Sequence, residues 1–269
     1  MGHGITDNFL KNGYEVFVWN RSKDKLKNLI KKGVKLSKSP KEATQNAEII
    51  FEVTANDQSS QSVWLSKDGI LAGATPEKTL ISCATLSISW TDKLAKICNR
   101  KGLNFFDMPM TGSRTGAEGG KLILLVGGDE EKLEKVKPVL KAISGEVLYF
   151  GKAGSGMRFK LLLNTLQSIH TVAFGEVLRM AKKMGLNLKE VGDTLTVRPG
   201  GVSTNLAWKN YQNEPKPLNF STEWMTKDLK YTKEEFKNFP TPLLDTTLKI
   251  FKKAMKKISQ KDYTMINKI

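Results

Sequence analysis

Residues 1–22 read MGHGITDNFLKNGYEVFVWNRS, and the order of signals in this stretch decides the architecture. Gly2 opens a helical pattern at once. Asn12-Gly13 supplies the stop, because glycine adopts the left-handed conformation that ends a helix. Tyr14–Trp19 follows as a β-rich run, and Asn20-Arg21-Ser22-Lys23 closes it in a polar turn. A helix feeding directly into a strand is a piece of an alternating α/β chain.

The alternation continues outward. Residues 23–33 carry a helical pattern closed by Gly33, and Ser39-Pro40 forms a cap and first-turn proline for a short helix. AEIIFEV (47–53) and KTLISCA (78–84) are strand patterns, and 89–102 is a helix with a glycine stop. LNFFDMP (103–109), KLILLVGG (121–128) and EVLYFG (146–151) are further strands, with an acid-started helix over 129–144. Strands that alternate with helices predict a mostly parallel sheet in an α/β layer fold.

After residue 151 no strand signal recurs. One helical pattern runs from Gly154 to Gly185, and others cover 187–196, 203–212, 221–236 and 240–257. The change near GKAGSG (151–156) predicts two domains, 1–152 of α/β type and 153–269 all helical.

At 269 residues and 39% hydrophobic content, the chain can bury substantial cores. Two cysteines and two histidines argue against a disulfide scaffold or a Cys/His metal cluster. The longest apolar run, LILLVGG, is far too short to cross a membrane, and no secretory leader pattern opens the chain. The net charge is +16, yet of 43 basic residues only Arg21, Arg100, Arg114, Arg158, Arg179 and Arg198 are arginine. Readers of nucleic acid lean on arginine and on aromatic platforms, whereas these lysines are spread over helices such as DKLKNLIKKG. A lysine-rich solvated surface is the simpler reading; a basic patch for a polyanionic partner stays open, and anionic small substrates would be drawn to either.

Four stretches carry chemistry. A helix start at Gly2 lets a pyrophosphate approach backbone N–H groups. About 20 residues on, at the end of the next strand, the ribose of an adenine dinucleotide is read. Asn20, Arg21 and Ser22 stand there instead of an acidic residue, which suits a 2′-phosphate and NADP(H). In DMPMTGSRTGAEGGKL (107–122), Gly112, Gly116, Gly119 and Gly120 separate two strands beside Thr111 and Ser113. Such a segment either cradles a carboxylate or is a flexible connection. In GSGMRFKLLLN (154–164), Lys160 and Asn164 share one helix face among leucines that predict a largely buried turn. The lysine is then a proton donor and acceptor, or it snorkels to water. FSTEWMTKDL (220–229), read alone, is an amphipathic helix with a surface Lys227-Asp228 pair.

Together, in this order and spacing, the four stretches resemble the β-hydroxyacid dehydrogenase family over essentially the whole chain. The opening is similar to the family's cofactor fingerprint from its Met-Gly onward. DMPMTGSRTGAEGGKL resembles its substrate motif, GSGMRFKLLLN its catalytic-lysine motif, and FSTEWMTKDL its late Lys-Asp-Leu motif. The resemblance implies a Rossmann-like doubly wound sheet followed by an all-α domain, and an NADP(H)-dependent oxidoreductase acting on a small carboxylate-bearing substrate. It implies Lys160 as general acid/base and Asn164 as its orienting partner. Thr111, Gly112 and Ser113 would hold the substrate carboxylate, with Phe220 and Asp228 closing the site. Gly2, Asn20, Arg21, Ser22, Thr54, Thr85 and Lys227 would meet the cofactor, NADP(H) ahead of NAD(H). It also implies a homo-oligomer formed through the helical domain.

There are departures. Thr111 stands for the usual serine of the substrate loop, and Ser113 for its second glycine. The second change is common in the glyoxylate/succinic semialdehyde reductase branch and so implies small aldehyde or keto acids. Ala84 stands where many members carry serine before Thr85. The first strand and first two glycines of the cofactor motif are absent. That strand lies mid-sheet, so its loss leaves backbone groups without partners. The expectation is a natural product that begins upstream of Met1, or else a fragmentary one. A cytoplasmic protein is expected, with organellar targeting left open. The competing reading is a non-catalytic dehydrogenase-like module that binds nucleic acid or chromatin through its basic surface.

Overall fold

The computed structural model describes residues 1–197 and 201–269, and the chain divides into two compact units, Met1–Lys160 and Leu161–Ile269. The first unit opens with α1 (Gly2–Lys11), whose inner face is Ile5, Thr6, Asn8 and Phe9. β1 (Phe17–Val18) and β2 (Lys35–Leu36) form a parallel ribbon. Between them the helix expected over 23–33 is split into a 3₁₀ turn at Lys23–Leu26 and the one-turn α2 (Lys27–Ile30). Only Leu26 and Leu29 are buried there, a spacing of three that a tight turn serves as well as an α-helix.

α3 (Pro40–Asn46) starts at Ser39, whose hydroxyl accepts from the Glu42 amide at 3.1 Å. β3 (Ile49–Glu52), β4 (Thr79–Ser82) and β5 (Asn104–Asp107) form a parallel sheet in that order. α4 (Asp57–Leu65) and α5 (Ile88–Arg100) are the connecting helices. α4 has little apolar periodicity and is defined instead by its start, where Asn56 and Ser59 cap each other, and by the fully buried Trp64. The chain continues through β6 (Met110–Thr111), α6 (Ser113–Glu118), β7 (Leu122–Val126), α7 (Glu130–Leu140) and β8 (Ser144–Tyr149). β7 pairs antiparallel with β6 and parallel with β8, and an antiparallel bridge between Asp107 and Gly127 ties β5 to the end of β7.

The sheet has a gap. Among the described residues β1 pairs only with β2, and β3 only with β4, so each keeps one open edge. Phe17 and Val18 on one side and Ile49–Val53 on the other line a cavity of about 900 Å³, roofed by Ile5 and Phe9 of α1. In a doubly wound sheet of order 3-2-1-4-5-6 the first strand occupies that place. The unit is therefore Rossmann-like, with the place of that strand empty among the described residues. This also explains why the β-rich run 14–19 forms only two paired residues, since one side of its ladder has no partner.

The second unit is helical. α8 (Ser155–Lys183) runs into it from the first, followed by α9 (Leu188–Thr196), α10 (Gly201–Gln212), α11 (Thr222–Glu235) and α12 (Pro242–Ile258). Met225 and Leu229 of α11 pack with Leu244, Leu248 and Phe251 of α12 in its main core. Phe174, Leu178, Ala207 and Trp208 form a smaller one. Among the described residues its β-type pairing is the single bridge Ser221–Asp262.

Candidate active site

The cofactor-type residues belong to the first unit except Lys227. Gly2, Asn20 and Thr54 line the same cavity, at the α1 start, the β1 end and the β3 end respectively. A Cβ placed on Gly2 would meet nothing nearer than the Val53 Cβ at 4.0 Å, so the space before the helix start is open to a bulky group. Asn20 donates through Nδ2 to the Ser22 carbonyl at 2.8 Å, which bends the turn and leaves Arg21 and Ser22 exposed beside it. Thr85 is half-buried in the loop between β4 and α5. Arg21, Ser22 and Thr85 lie outside the lining of the cavity.

The glycine-rich segment after β5 is not a plain connection: it holds β6 and the six-residue α6. Gly112 has φ +113°, a conformation that favours glycine, and Ser113 follows at φ +56°. Ser113 is the single non-glycine residue with positive φ among those described. Such strain costs roughly 1–2 kcal/mol and persists only where the surroundings impose it. It turns the chain sharply between Thr111 and α6, and both hydroxyl-bearing residues remain half-buried.

Lys160 is 6% exposed and Asn164 3% exposed, one turn apart on α8. Lys160 therefore does not snorkel to water. The leucines beside it are not all inside, as expected from sequence; Leu161 is buried while Leu162 is 53% exposed, as the helical period requires. Within the second unit Asn164 Nδ2 donates to Asp228 Oδ2 at 2.6 Å. Lys227 Nζ lies 2.9 Å from Asp228 Oδ1 and 5.2 Å from the centre of the Tyr231 ring. The pair 227–228 is thus no surface pair: the Asp228 side chain is wholly buried and Lys227 is half-buried. Phe220 stands just before α11, held edge-on between Trp224 and Tyr263, and its carbonyl accepts from the Tyr263 amide at 3.0 Å.

Three contacts escaped sequence reasoning. Gly4 brings α1 against α6 so closely that a Cβ there would sit 2.7 Å from the Ala117 carbonyl carbon. Asn8 fastens the same contact, donating to the Ala117 carbonyl at 2.7 Å. Glu52 is buried at the end of β3, where Thr54 donates to one oxygen and Ser82 to the other at 2.8 Å. Burial pushes its pKa up, against the lowering effect of those hydroxyls. Asp57 joins the loops after β3 and β4 by accepting from the Ser87 amide at 2.9 Å and hydroxyl at 2.6 Å. A buried Asn or Glu has no sequence signature; the one available hint was Gly4, a second glycine inside a short helix.

A doubly wound α/β unit followed by a helical one is an architecture of nicotinamide-dependent dehydrogenases. Residues 1–151 match the family model of the NAD binding domain of 6-phosphogluconate dehydrogenase, and 154–269 that of the NAD-binding domain of NADP-dependent 3-hydroxyisobutyrate dehydrogenase. The chain belongs to the β-hydroxyacid dehydrogenase family, whose members are NAD(P)-dependent oxidoreductases of hydroxy acids. It is 33% identical to an uncharacterised oxidoreductase of Synechocystis over 246 residues, covering 90% of this chain and 84% of that one. It is 31% identical to glyoxylate/succinic semialdehyde reductase 1 of Arabidopsis thaliana over 209 residues, covering 78% and 71%. In fold it resembles the 3-hydroxyisobutyrate dehydrogenase of Mycobacterium tuberculosis, solved with L-serine, at TM-score 0.89 and 24% identity, covering 100% of this chain and 94% of that one.

Proposed function

We propose that the chain interconverts a small β-hydroxyacid and its aldehyde or keto acid, of glyoxylate or succinic semialdehyde type, with NADP(H) as the preferred cofactor. The observation that carries this is the buried Lys160, one helical turn from an Asn164 amide already anchored on Asp228. The nicotinamide supplies the two-electron transfer. In reduction Lys160 gives its proton to the carbonyl oxygen, and in oxidation it takes the proton of the hydroxyl, so no free alkoxide forms. Asn164 orients the substrate and Lys160. Thr111, Gly112 and Ser113 bind the carboxylate, while Phe220 and Asp228 close the site against water.

The residues fit a dinucleotide at several points. The open space before Gly2 admits a phosphate to the N-terminal amides of α1, with Asn20 and Thr54 on the same cavity wall. Arg21 and Ser22, exposed at the ribose position, suit a 2′-phosphate; Thr85 and Lys227 complete the set. The division of labour proposed is cofactor binding by 1–152 and substrate closure by 153–269. Exposed Leu162, Leu166, Val177, Met180 and Met184 along α8 and its end form an apolar stripe suited to a second copy of the chain.

Turnover of glyoxylate and succinic semialdehyde with NADPH, abolished in Lys160→Ala, is expected. Arg21→Ala should weaken NADPH binding by about tenfold, about 1.4 kcal/mol, and leave NADH binding unchanged. Equal turnover in wild type and Lys160→Ala would sink the reading. The net charge of +16 supports a second reading, a module that binds a polyanion such as DNA. Salt-dependent DNA binding without stabilisation by NADPH would favour it, although such a module has no use for a buried Lys160.

A further inference from the structure

Asp107 ends β5, four residues before Thr111, and it is fully buried. Its Oδ1 accepts from the Gly154 amide at 2.5 Å and its Oδ2 from the Met157 amide at 2.7 Å. These N–H groups stand at the start of α8, where a helix has no acceptor of its own. Lys160 lies one turn further along. The backbone of Asp107 is held from its other side, donating to the Gly127 carbonyl at 3.1 Å and accepting from its amide at 2.8 Å. There is no slack in the arrangement. A Cβ on Gly156 would lie 2.2 Å from the Leu125 carbonyl oxygen, and one on Gly127 would lie 2.4 Å from Asp107 Oδ1.

We propose that Asp107 is a positioning residue: its carboxylate fixes the start of α8 on β5 and so places Lys160 relative to the Thr111–Ser113 turn. The inference rests on the acid/base role proposed for Lys160. Only a carboxylate matches the two converging amides, because both of its oxygens accept. A carboxamide of the same shape turns a donor toward one of them. Displacing a catalytic group by about 1 Å costs up to about 10²-fold in rate. The charged groups around Asp107 are Arg158 on α8 and, bound to Arg158 at 2.8 Å, Asp92 on α5. Burial pushes the Asp107 pKa up to about 6, against its amide partners and Arg158, so the ionised form holds at neutral pH and is lost in mild acid.

The test compares wild type, Asp107→Asn and Lys160→Ala by amide hydrogen exchange, NADPH binding and turnover of glyoxylate from pH 5 to 8. Asp107→Asn should exchange faster at residues 154–160 and keep NADPH binding. Its kcat should fall about 10- to 100-fold with little change in KM. It should also lack the decline in kcat that wild type shows below about pH 6. Unchanged exchange and an unchanged pH profile in Asp107→Asn would overturn the proposal, as would a loss of kcat matched by a loss of NADPH binding. Full turnover in Lys160→Ala would overturn the reading of the site instead, and the exchange data would still stand.

Discussion

The side-chain amide of Asn164, on α8, donates to Asp228, on α11, across 2.6 Å in a buried setting. Asp228 in turn accepts the charge of its neighbour Lys227. The three residues come from two helices separated by more than sixty positions in sequence, so one substitution disturbs both the orientation of Asn164 and the balance of charge.

Asp228→Ala leaves the Asn164 amide without its acceptor and removes the carboxylate beside Lys227, which should cost about 1–3 kcal/mol of stability. Asp228→Asn keeps an acceptor and should cost less. A double-mutant cycle with Asn164→Ala, read by chemical denaturation, should give a coupling of about 0.5–3 kcal/mol. Strict additivity would show that the two side chains do not act together.

Ser113→Gly removes the positive-φ strain at the turn into α6. Stability should rise by about 1 kcal/mol, seen as a higher Tm, because glycine adopts this conformation without a Cβ clash. The same substitution deletes a hydroxyl proposed for the substrate carboxylate, so KM should rise while Tm does. A fall in both would place the strain elsewhere.

The slot between β1 and β3 should accept a strand. Fusing about six apolar β-branched residues and a short glycine turn ahead of Met1 offers backbone groups to two open edges at once. A rise in Tm and tighter NADPH binding are expected, since the added turn reaches the α1 start. A fusion with Asp at alternate positions should fail to stabilise; equal effects of both would show that the segment stays outside.

Asp107 sets a pH signature. Its folded pKa is about 6 against an ordinary 3.8, so the native state holds a proton that the unfolded chain has released between about pH 4 and 6. Unfolding free energy therefore falls as pH rises through that window, by about 3 kcal/mol for this group. Glu52, raised by burial, acts with the same sign. Urea titrations should show Asp107→Asn gaining on wild type from pH 4 to 6 and holding that gain at pH 7. The opposite trend would mean that Asp107 is stabilised by ionisation.

The alternation of helix and strand, the shift to all-helical structure after residue 151, and the pairing of Lys160 with Asn164 on one helix face were legible in the chain itself, whereas Phe220, Lys227 and Asp228 stood out only through the family resemblance. The first three rest on local rules: periodicity, capping and a spacing of four on one helix. The open edges of β1 and β3 were foreshadowed by a glycine that opens a helix at once. What escaped were relations set by packing between distant segments. Residues 57–65 become a helix through the Asn56 cap and the burial of Trp64, not through an apolar stripe. The turn after Thr111 looked like a loop and became a short helix because Gly4 and Asn8 of α1 grip its far end.

By itself, then, the sequence determined the class of fold, the order of its parts and which residue types stand ready for chemistry. Only the tertiary structure decided which of them are buried and tied together: Asp228 under Asn164, Asp107 under the start of α8, Glu52 beside Thr54 and Ser82. The reason is physical. Secondary structure follows from neighbours within a few residues, whereas a buried carboxylate is tolerated only where donors from remote segments converge on it.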